Sequence, residues 1–151
     1  SDDGALGLMI NQPLDIHLGE ILEQLDLPGG ELDLPVFSGG PVQPERGFVL
    51  HPPGTSWQNT AKVTDDVLLT TSRDVLAGIG RGEGPHEYLV ALGYSGWSEG
   101  QLEEELGSNA WLTCPANTDI LFRTPWEERY KAVLQLIGID LNQLSESVGH
   151  A

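Results

Sequence analysis

Residues 93–97 (GYSGW) come closest to a catalytic motif in this sequence. A serine between glycines, placed after a strand and before a helix, is typical of the nucleophile elbow, whose pattern is Gly-x-Ser-x-Gly. Trp97 stands where the last glycine belongs, and a serine nucleophile also needs a histidine and an acid. His51 and His86 are the histidines that we consider for that role. We favour the alternative, a glycine-rich turn with Trp97 packed beneath it, and keep Ser95 as a candidate.

Two turns, at residues 38–42 (SGGPV) and 70–74 (TTSRD), carry backbone N–H groups that an anion could bind. Arg73 stands just inside an expected helix start and would add positive charge there. Ordinary turn and helix-capping chemistry accounts for the same residues. The candidate ligand-binding residues are therefore Gly39, Gly40, Arg73, Ser95 and His51.

Cys114 is the only cysteine, so the chain has no internal disulfide. Its functional interpretation is a reactive or redox-sensing thiol. The alternative is a small buried apolar side chain, which is the commoner fate of a free cysteine. No basic residue flanks it closely, and an acidic chain makes a thiolate less favourable. We favour the buried interpretation and keep Cys114 as a candidate reactive thiol.

The sequence predicts neither a metal site nor a cofactor. Its four histidines stand apart without ligand spacing, and one cysteine cannot form a thiolate cage. The glycine run at residues 78–84 fits the dinucleotide-binding pattern in no register, so we expect a surface loop there. Glu99 and Glu103 lie one turn apart on an expected helix. We interpret them as a solvated helix face, and a glycosidase-type carboxylate pair stays open.

Charge is the unusual property of this chain of 151 residues. Asp and Glu number 23 against 7 Lys and Arg, which gives a formal net charge of −16. Both halves of the chain are acidic. Sequence-independent nucleic-acid binding needs a basic face, so direct DNA or RNA contact is disfavoured, as is an anionic membrane surface. The acidity favours a basic protein partner. No apolar run is long enough to span a membrane.

The elements that would position these residues follow from hydrophobic periodicity. Leu18, Ile21, Leu22 and Leu25 recur at helical spacing, and Pro28 follows them. We expect helices at residues 17–27, 74–79, 98–106 and 124–137, and strands at residues 5–10, 47–51, 67–72, 88–93 and 120–122. Strands and helices alternate without a regular βαβ rhythm. This order indicates one α+β domain over residues 1–151.

Several segments together resemble the small bacterial proteins of the AlgH/YqgE family. The matching stretches fall in the family's order and cover almost the whole chain. They are residues 4–13 (GALGLMINQP), 39–42, 46–51, 71–76 (TSRDVL), 92–97 (LGYSGW), 100–103, 109–112 and 149–151. Family members carry a strand-forming segment ahead of the stretch that begins at Gly4. Its absence here, and the missing initiator methionine, lead us to expect a trimmed chain.

The resemblance implies an α+β fold with a mixed, bifurcated β-sheet curled into a pseudo-barrel and a few flanking helices. It also implies a bacterial cytoplasmic protein. The family name is associated with transcriptional regulation of alginate synthesis. The resemblance supplies no catalytic or ligand residue by position.

Three hypotheses about function follow. The first is a non-enzymatic regulatory or adaptor protein that acts through a protein partner or a small ligand. The second is a small-molecule sensor or hydrolase-like enzyme, with the turns at residues 39–42, 71–74 and 93–97 around a pocket near Ser95. The third is a regulator that binds DNA directly, which the net charge disfavours.

Overall fold

A mixed sheet of seven strands forms the centre of the computed structural model, which describes residues 4–138. The strands are β1 (Ala5–Gly7), β2 (Pro13–His17), β3 (Pro35–Ser38), β4 (Val42–His51), β5 (Thr60–Thr64), β6 (Val67–Thr70) and β7 (Leu89–Trp97). The helices are α1 (Leu18–Gln24), α2 (Arg73–Gly80), α3 (Gln101–Gly107), α4 (Thr118–Phe122) and α5 (Arg129–Leu136), with a 3-10 turn at Trp126–Glu128.

The sheet branches at β7. The strand order is β2-β3-β7-β4-β6-β5, and β4 runs antiparallel along one side of β7. Two strands share the other side: β3 pairs in parallel at Ala91 and Leu92, and β1 pairs antiparallel at residues 95–97. The α+β class and the mixed, bifurcated sheet are therefore confirmed. β2 and β5 are its ends, and no ladder joins them within residues 4–138, so the sheet is not closed there.

Both faces of the sheet are covered, and alternate side chains of the central strands supply the two cores. Val36, Val49 and Val90 face α1 and α2, whereas Phe37 and its neighbours face the other way. The second core is completed by Leu8, Ile10, Leu121 and Phe122, which come from the segment after β1 and from α4. Because β7 is buried on both faces, it reads as a nearly continuous apolar run, as central strands do.

The strand expected at residues 120–122 is wrong: these residues belong to α4. The Asn117 side chain accepts a hydrogen bond from the backbone N–H of Ile120 at 3.1 Å and caps the helix. A short apolar run fits a buried strand and a buried helix equally well, so periodicity alone could not decide. The strand expected at residues 5–10 is also shorter, since it ends at Gly7.

The surface loop expected at residues 78–84 is partly wrong, because α2 continues to Gly80. Two glycines in the last turn of α2 allow close packing. A Cβ at Gly78 would lie 2.7 Å from the Trp57 ring, and one at Gly80 would overlap the carbonyl of Pro28. The first glycines of residues 78–84 therefore serve close helix packing, and the turn begins only at Arg81.

Candidate functional site

Ser95 lies inside a strand and not on a turn. β7 continues through it to Trp97, and Ser95 pairs with Gly7 of β1. Its Oγ donates a hydrogen bond to the carbonyl of Gly39 at 3.3 Å. The strand-to-helix turn predicted for residues 93–97 is therefore wrong, and with it the sharp bend that exposes a hydrolase nucleophile is missing.

His51 is fully buried and belongs to a network between strands. Its Nδ1 donates to the carbonyl of Pro52 at 2.9 Å, because a carbonyl can only accept. Its Nε2 is hydrogen-bonded to the hydroxyl of Thr70 at 2.7 Å, and Thr70 also contacts the Thr60 hydroxyl at 2.8 Å. Both ring nitrogens are thus occupied, and the Nε2 contact joins β4 to β6 and, through Thr70 and Thr60, to β5. This arrangement leaves His51 neither a base for Ser95 nor accessible to a ligand.

Gly39 and Gly40 allow the chain between β3 and β4 to lie directly against β7. The Gly39 N–H donates to the carbonyl of Leu92 at 2.9 Å, and its carbonyl accepts from the N–H of Met9 at 2.8 Å. A Cβ at Gly40 would overlap the backbone of Tyr94. Since the Gly39 N–H is already bonded, the anion site expected at this turn is not formed by that group.

Arg73 is the first residue of α2, and its Nη2 donates to the carbonyl of Leu25. The helix start already holds a carboxylate, that of Asp74, which accepts from the backbone N–H of Gln58 at 2.9 Å. Burial acts to raise the pKa of Asp74, but hydrogen bonds from Ser72, Gln58 and Val75 outweigh it and lower the pKa. Arg73 borders a cavity of about 320 Å³ between α1, α2 and the sheet.

Cys114 lies in the segment between α3 and α4 and is partly exposed. His150 and the matching stretch at residues 149–151 lie outside the described residues. The three turns expected around one pocket do not all meet: residues 39–42 contact residues 93–97 through the Ser95–Gly39 hydrogen bond, but the turn at residues 71–74 borders a separate cavity. Residues 70–73 border the cavity at Arg73, Ser95 borders a different opening, and Gly39 packs against β7.

The opening beside Ser95 is an apolar groove of about 600 Å³, and its aromatic lining was not expected from the sequence. We call it the aromatic groove and define it by Met9, Trp97, Trp111, Leu112, Tyr130 and Ile137. Trp97 and Trp111 meet edge to face, with ring centres 5.8 Å apart. Trp111 is 47% exposed, Tyr130 55% and Leu112 61%. Among the apolar side chains of α5, only Leu134 is buried.

Arg129 lies beneath the aromatic groove and is 8% exposed. Its Nη1 donates to the carbonyl of Ile10, and its Nη2 donates to the carbonyl of Leu121 at 3.2 Å. Its Nε–H has no partner, and among residues 4–138 no carboxylate oxygen lies within 4.0 Å of the guanidinium. Burial lowers the pKa of Arg129, partly opposed by the charge of Glu127. No local pattern distinguishes this residue from the other six Lys and Arg residues of the chain.

Arg129 also borders a second opening, of about 620 Å³. We call it the Tyr88 cavity and define it by Phe37, His86, Tyr88, Phe122, Trp126 and Arg129. Burial raises the pKa of the Tyr88 hydroxyl. Two groups with displaced pKa values, Tyr88 and Arg129, thus line one cavity, an arrangement that is enriched at functional sites.

No group of three or more His, Cys, Asp or Glu side chains within residues 4–138 is arranged to hold a metal ion. None of the helices in that part of the chain has the length and apolarity needed to cross a membrane. The cytoplasmic location stays a prediction.

Comparison with known proteins identifies the family. The family model described as AlgH-like (DUF179) matches residues 1–142. The chain belongs to the AlgH-like family. Among its relatives are UPF0301 proteins of Hahella chejuensis, 52% identical over 151 residues, and of Nitrosospira multiformis, 53% identical over 154 residues. Each alignment covers 100% of this chain, and 82% and 83% of the two relatives respectively. The resemblance seen in the sequence is confirmed.

Solved structures agree with this assignment. The solution structure of the AlgH protein from Pseudomonas aeruginosa superposes with a TM-score of 0.81 at 48% identity, covering 96% of this chain and 78% of that one. A crystal structure of a protein from Corynebacterium diphtheriae superposes with a TM-score of 0.68 at 12% identity, covering 89% and 72%, and shows the fold alone. The AlgH-like family is one of uncharacterised function, so the activity must be argued from the site.

Proposed function

We propose that this AlgH-like protein is a non-enzymatic adaptor that binds a partner protein at the aromatic groove. The observation that carries this function is the cluster of exposed Trp111, Leu112 and Tyr130 around a groove of about 600 Å³. Large exposed apolar patches mark interaction sites, and Trp, Tyr and Met are enriched in the centres of protein interfaces. A regulatory role would then be exerted through a protein contact.

The charge of the chain defines the chemistry of this partner. The formal net charge is −16, and α3, which leads into the groove wall at residues 110–112, carries Glu103, Glu104 and Glu105. An acidic surface attracts a basic partner and accelerates its approach. The occupant that fits is an apolar protein segment flanked by Lys or Arg. Direct DNA contact fits this charge poorly, because phosphate contacts need a basic face.

Catalysis at Ser95 is a weaker alternative for this protein. His17, His51 and His86 all lie away from its Oγ: His17 contacts Asp33, His51 contacts Thr70, and His86 borders the Tyr88 cavity. A hydroxyl needs a positioned base to become a nucleophile. A groove of exposed aromatic side chains around this serine suits binding better than chemistry.

The experiment is a quantitative pull-down from the native host with the full-length protein at native expression level. The groove variant is W111A/Y130A, and the matched control is V63A, which removes an exposed apolar side chain from β5. We expect one protein to be retained by the wild type and by V63A, to resist nuclease, and to fall at least about tenfold with the groove variant. Raising the salt concentration should slow its association.

Two results would contradict this function. The first is equal retention of every captured protein by the groove variant and V63A. The second is loss of the captured material on nuclease treatment, which would favour nucleic-acid contact. If the wild-type protein forms dimers and W111A/Y130A does not, the occupant of the groove is a second copy of this chain and not a different protein.

A further inference from the structure

We infer that the Tyr88 cavity binds a small aromatic monocarboxylate, whose carboxylate pairs with the buried guanidinium of Arg129. This site goes beyond the adaptor function and does not depend on it. It occupies the opening defined by Phe37, Tyr88 and Trp126, whereas the partner protein would lie in the aromatic groove.

The first support is the unbalanced charge of Arg129. A buried guanidinium is costly unless an acid or enough acceptors compensate it. Of the acids within residues 4–138, none lies within 4.0 Å of this guanidinium. The contrast with Arg123 is direct, since that exposed side chain is paired with both Glu87 and Asp119. Glu127 opposes the cost of burial only in part and from beyond 4.0 Å, so we assign the acid in direct contact with Arg129 to a ligand.

The second support is the hydrogen-bonding capacity that remains on Arg129. An arginine has five N–H donors in a fixed fork, and a carboxylate accepts two of them side by side. Carbonyls of Ile10 and Leu121 take one donor each from the two Nη atoms, and the buried Nε–H has no partner. A carboxylate in the cavity would bond to the second N–H of each Nη atom and neutralise the charge, whereas the enclosed Nε–H lies outside its reach.

The third support is the shape and composition of the cavity. Its volume of about 620 Å³ lies within the usual range for small-molecule sites. Phe37, Tyr88, Phe122 and Trp126 supply four aromatic rings, and the Arg129 guanidinium carbon lies 4.8 Å from the centre of the Phe37 ring. A flat aromatic body can stack on these rings while its carboxylate reaches the guanidinium.

The acids around the cavity limit the ligand to one negative charge. Glu87 lines the cavity and accepts bonds of 2.8 and 3.1 Å from Arg123, which also pairs with Asp119, so these three side chains keep a net negative charge. Glu127 also lines it and has no such partner among the described ion pairs, so a dianion would be repelled. His86 and Thr124 supply further polar groups at the wall.

The test compares two probes of nearly equal shape, 2-naphthoate and 2-naphthamide, on the full-length wild-type protein. The chain contains four tryptophans, so their indole N–H resonances give a readout that distinguishes the sites. Trp126 lines the Tyr88 cavity, Trp97 and Trp111 line the aromatic groove, and Trp57 packs under α2. We expect saturable naphthoate shifts at Trp126 alone and at least about tenfold weaker binding of the neutral amide.

Variants separate this site from the groove. R129Q should weaken naphthoate at least about tenfold, and W126A should weaken both probes, whereas W111A should leave naphthoate binding unchanged. If R129Q does not fold, the difference in affinity between 2-naphthoate and 2-naphthamide on the wild-type protein still tests the inference. Equal binding of the two probes, shifts centred on Trp97 and Trp111, or no saturable shift at millimolar naphthoate would overturn the inference. If W111A/Y130A loses partner capture but still binds naphthoate, the aromatic groove and the Tyr88 cavity are independent sites.

Discussion

The guanidinium of Arg129 lies over the ring of Phe37, with 4.8 Å between the guanidinium carbon and the ring centre. This contact joins α5 to β3 across the second core. The same guanidinium donates to the carbonyl of Ile10, which is 119 residues away in the chain. One side chain of α5 thus holds both α4 and the segment that follows β1 in place.

Replacement of Arg129 should therefore destabilise the fold. R129A leaves the carbonyls of Ile10 and Leu121 without donors and removes the contact with Phe37, so we expect a loss of about 2–4 kcal/mol in the free energy of unfolding. Urea denaturation measures it. K131A removes an exposed base from the same helix and should change stability by less than about 0.5 kcal/mol. Equal stability of the two variants would show that Arg129 is not a structural tie.

Ser95 should not react as a nucleophile. Its Oγ donates to the carbonyl of Gly39, it lies within β7, and no described histidine contacts it. We expect a fluorophosphonate probe to leave the intact mass of the folded protein unchanged, as measured by mass spectrometry. A serine hydrolase of known reactivity is the positive control. Stoichiometric labelling that disappears in S95A would restore the enzyme hypothesis.

Two glycines at the ends of helices should respond in opposite ways to alanine. A Cβ at Gly80 would overlap the carbonyl of Pro28, so G80A should cost about 2–4 kcal/mol of unfolding free energy. Gly107 ends α3 with nothing within 4 Å, so G107A should stabilise by up to about 1 kcal/mol through helix propensity. Thermal and urea denaturation of both variants measure these changes. A harmless G80A would mean that α2 can move away from Pro28.

Asp74 should contribute stability that depends on pH. Its pKa in the folded protein lies below the ordinary value of 3.8, because hydrogen bonds from Ser72, Gln58 and Val75 favour the carboxylate. A group with a lowered folded pKa stabilises above its unfolded pKa, and the contribution is lost as the pH falls through the folded pKa. Wild type should therefore exceed D74N in stability near neutral pH, and the difference should shrink below about pH 4.

Urea denaturation at a series of pH values follows this difference. E31Q, which removes an exposed acid, serves as the matched control and should show a much smaller change over the same range. A wild-type advantage over D74N that stays constant down to the lowest pH would contradict the role of the Asp74 carboxylate.

Local patterns were enough to predict part of this fold. The spacing of Leu18, Ile21 and Leu22 marks α1, and the apolar run from Leu89 marks the central strand, because each signal is carried by neighbouring residues. The secondary structure at Ser95 and at Ile120 was predicted wrongly for a physical reason. A strand that pairs with β1 at its far end can continue through Gly96, and a capping Asn117 can make a helix of an apolar run.

The candidate sites were harder to predict than the fold. Arg73 and Ser95 stand in conspicuous local motifs, but their hydrogen bonds go to the carbonyls of Leu25 and Gly39. Arg129 stands in no motif, and its burial depends on Phe37 and Ile10, both far away in the sequence. Such a residue is defined by tertiary contacts, so a single sequence holds no local trace of it.

The branching of the sheet at β7 also determines how this protein folds. β7 cannot find its partners until residues far apart in the sequence have met, since β3 must lie parallel to it and β1 must reach its other end. Contacts of this kind require large loops to close before any stabilisation is gained. Folding is therefore expected to be slow for a domain of this size, with the docking of β7 as the step that commits the chain.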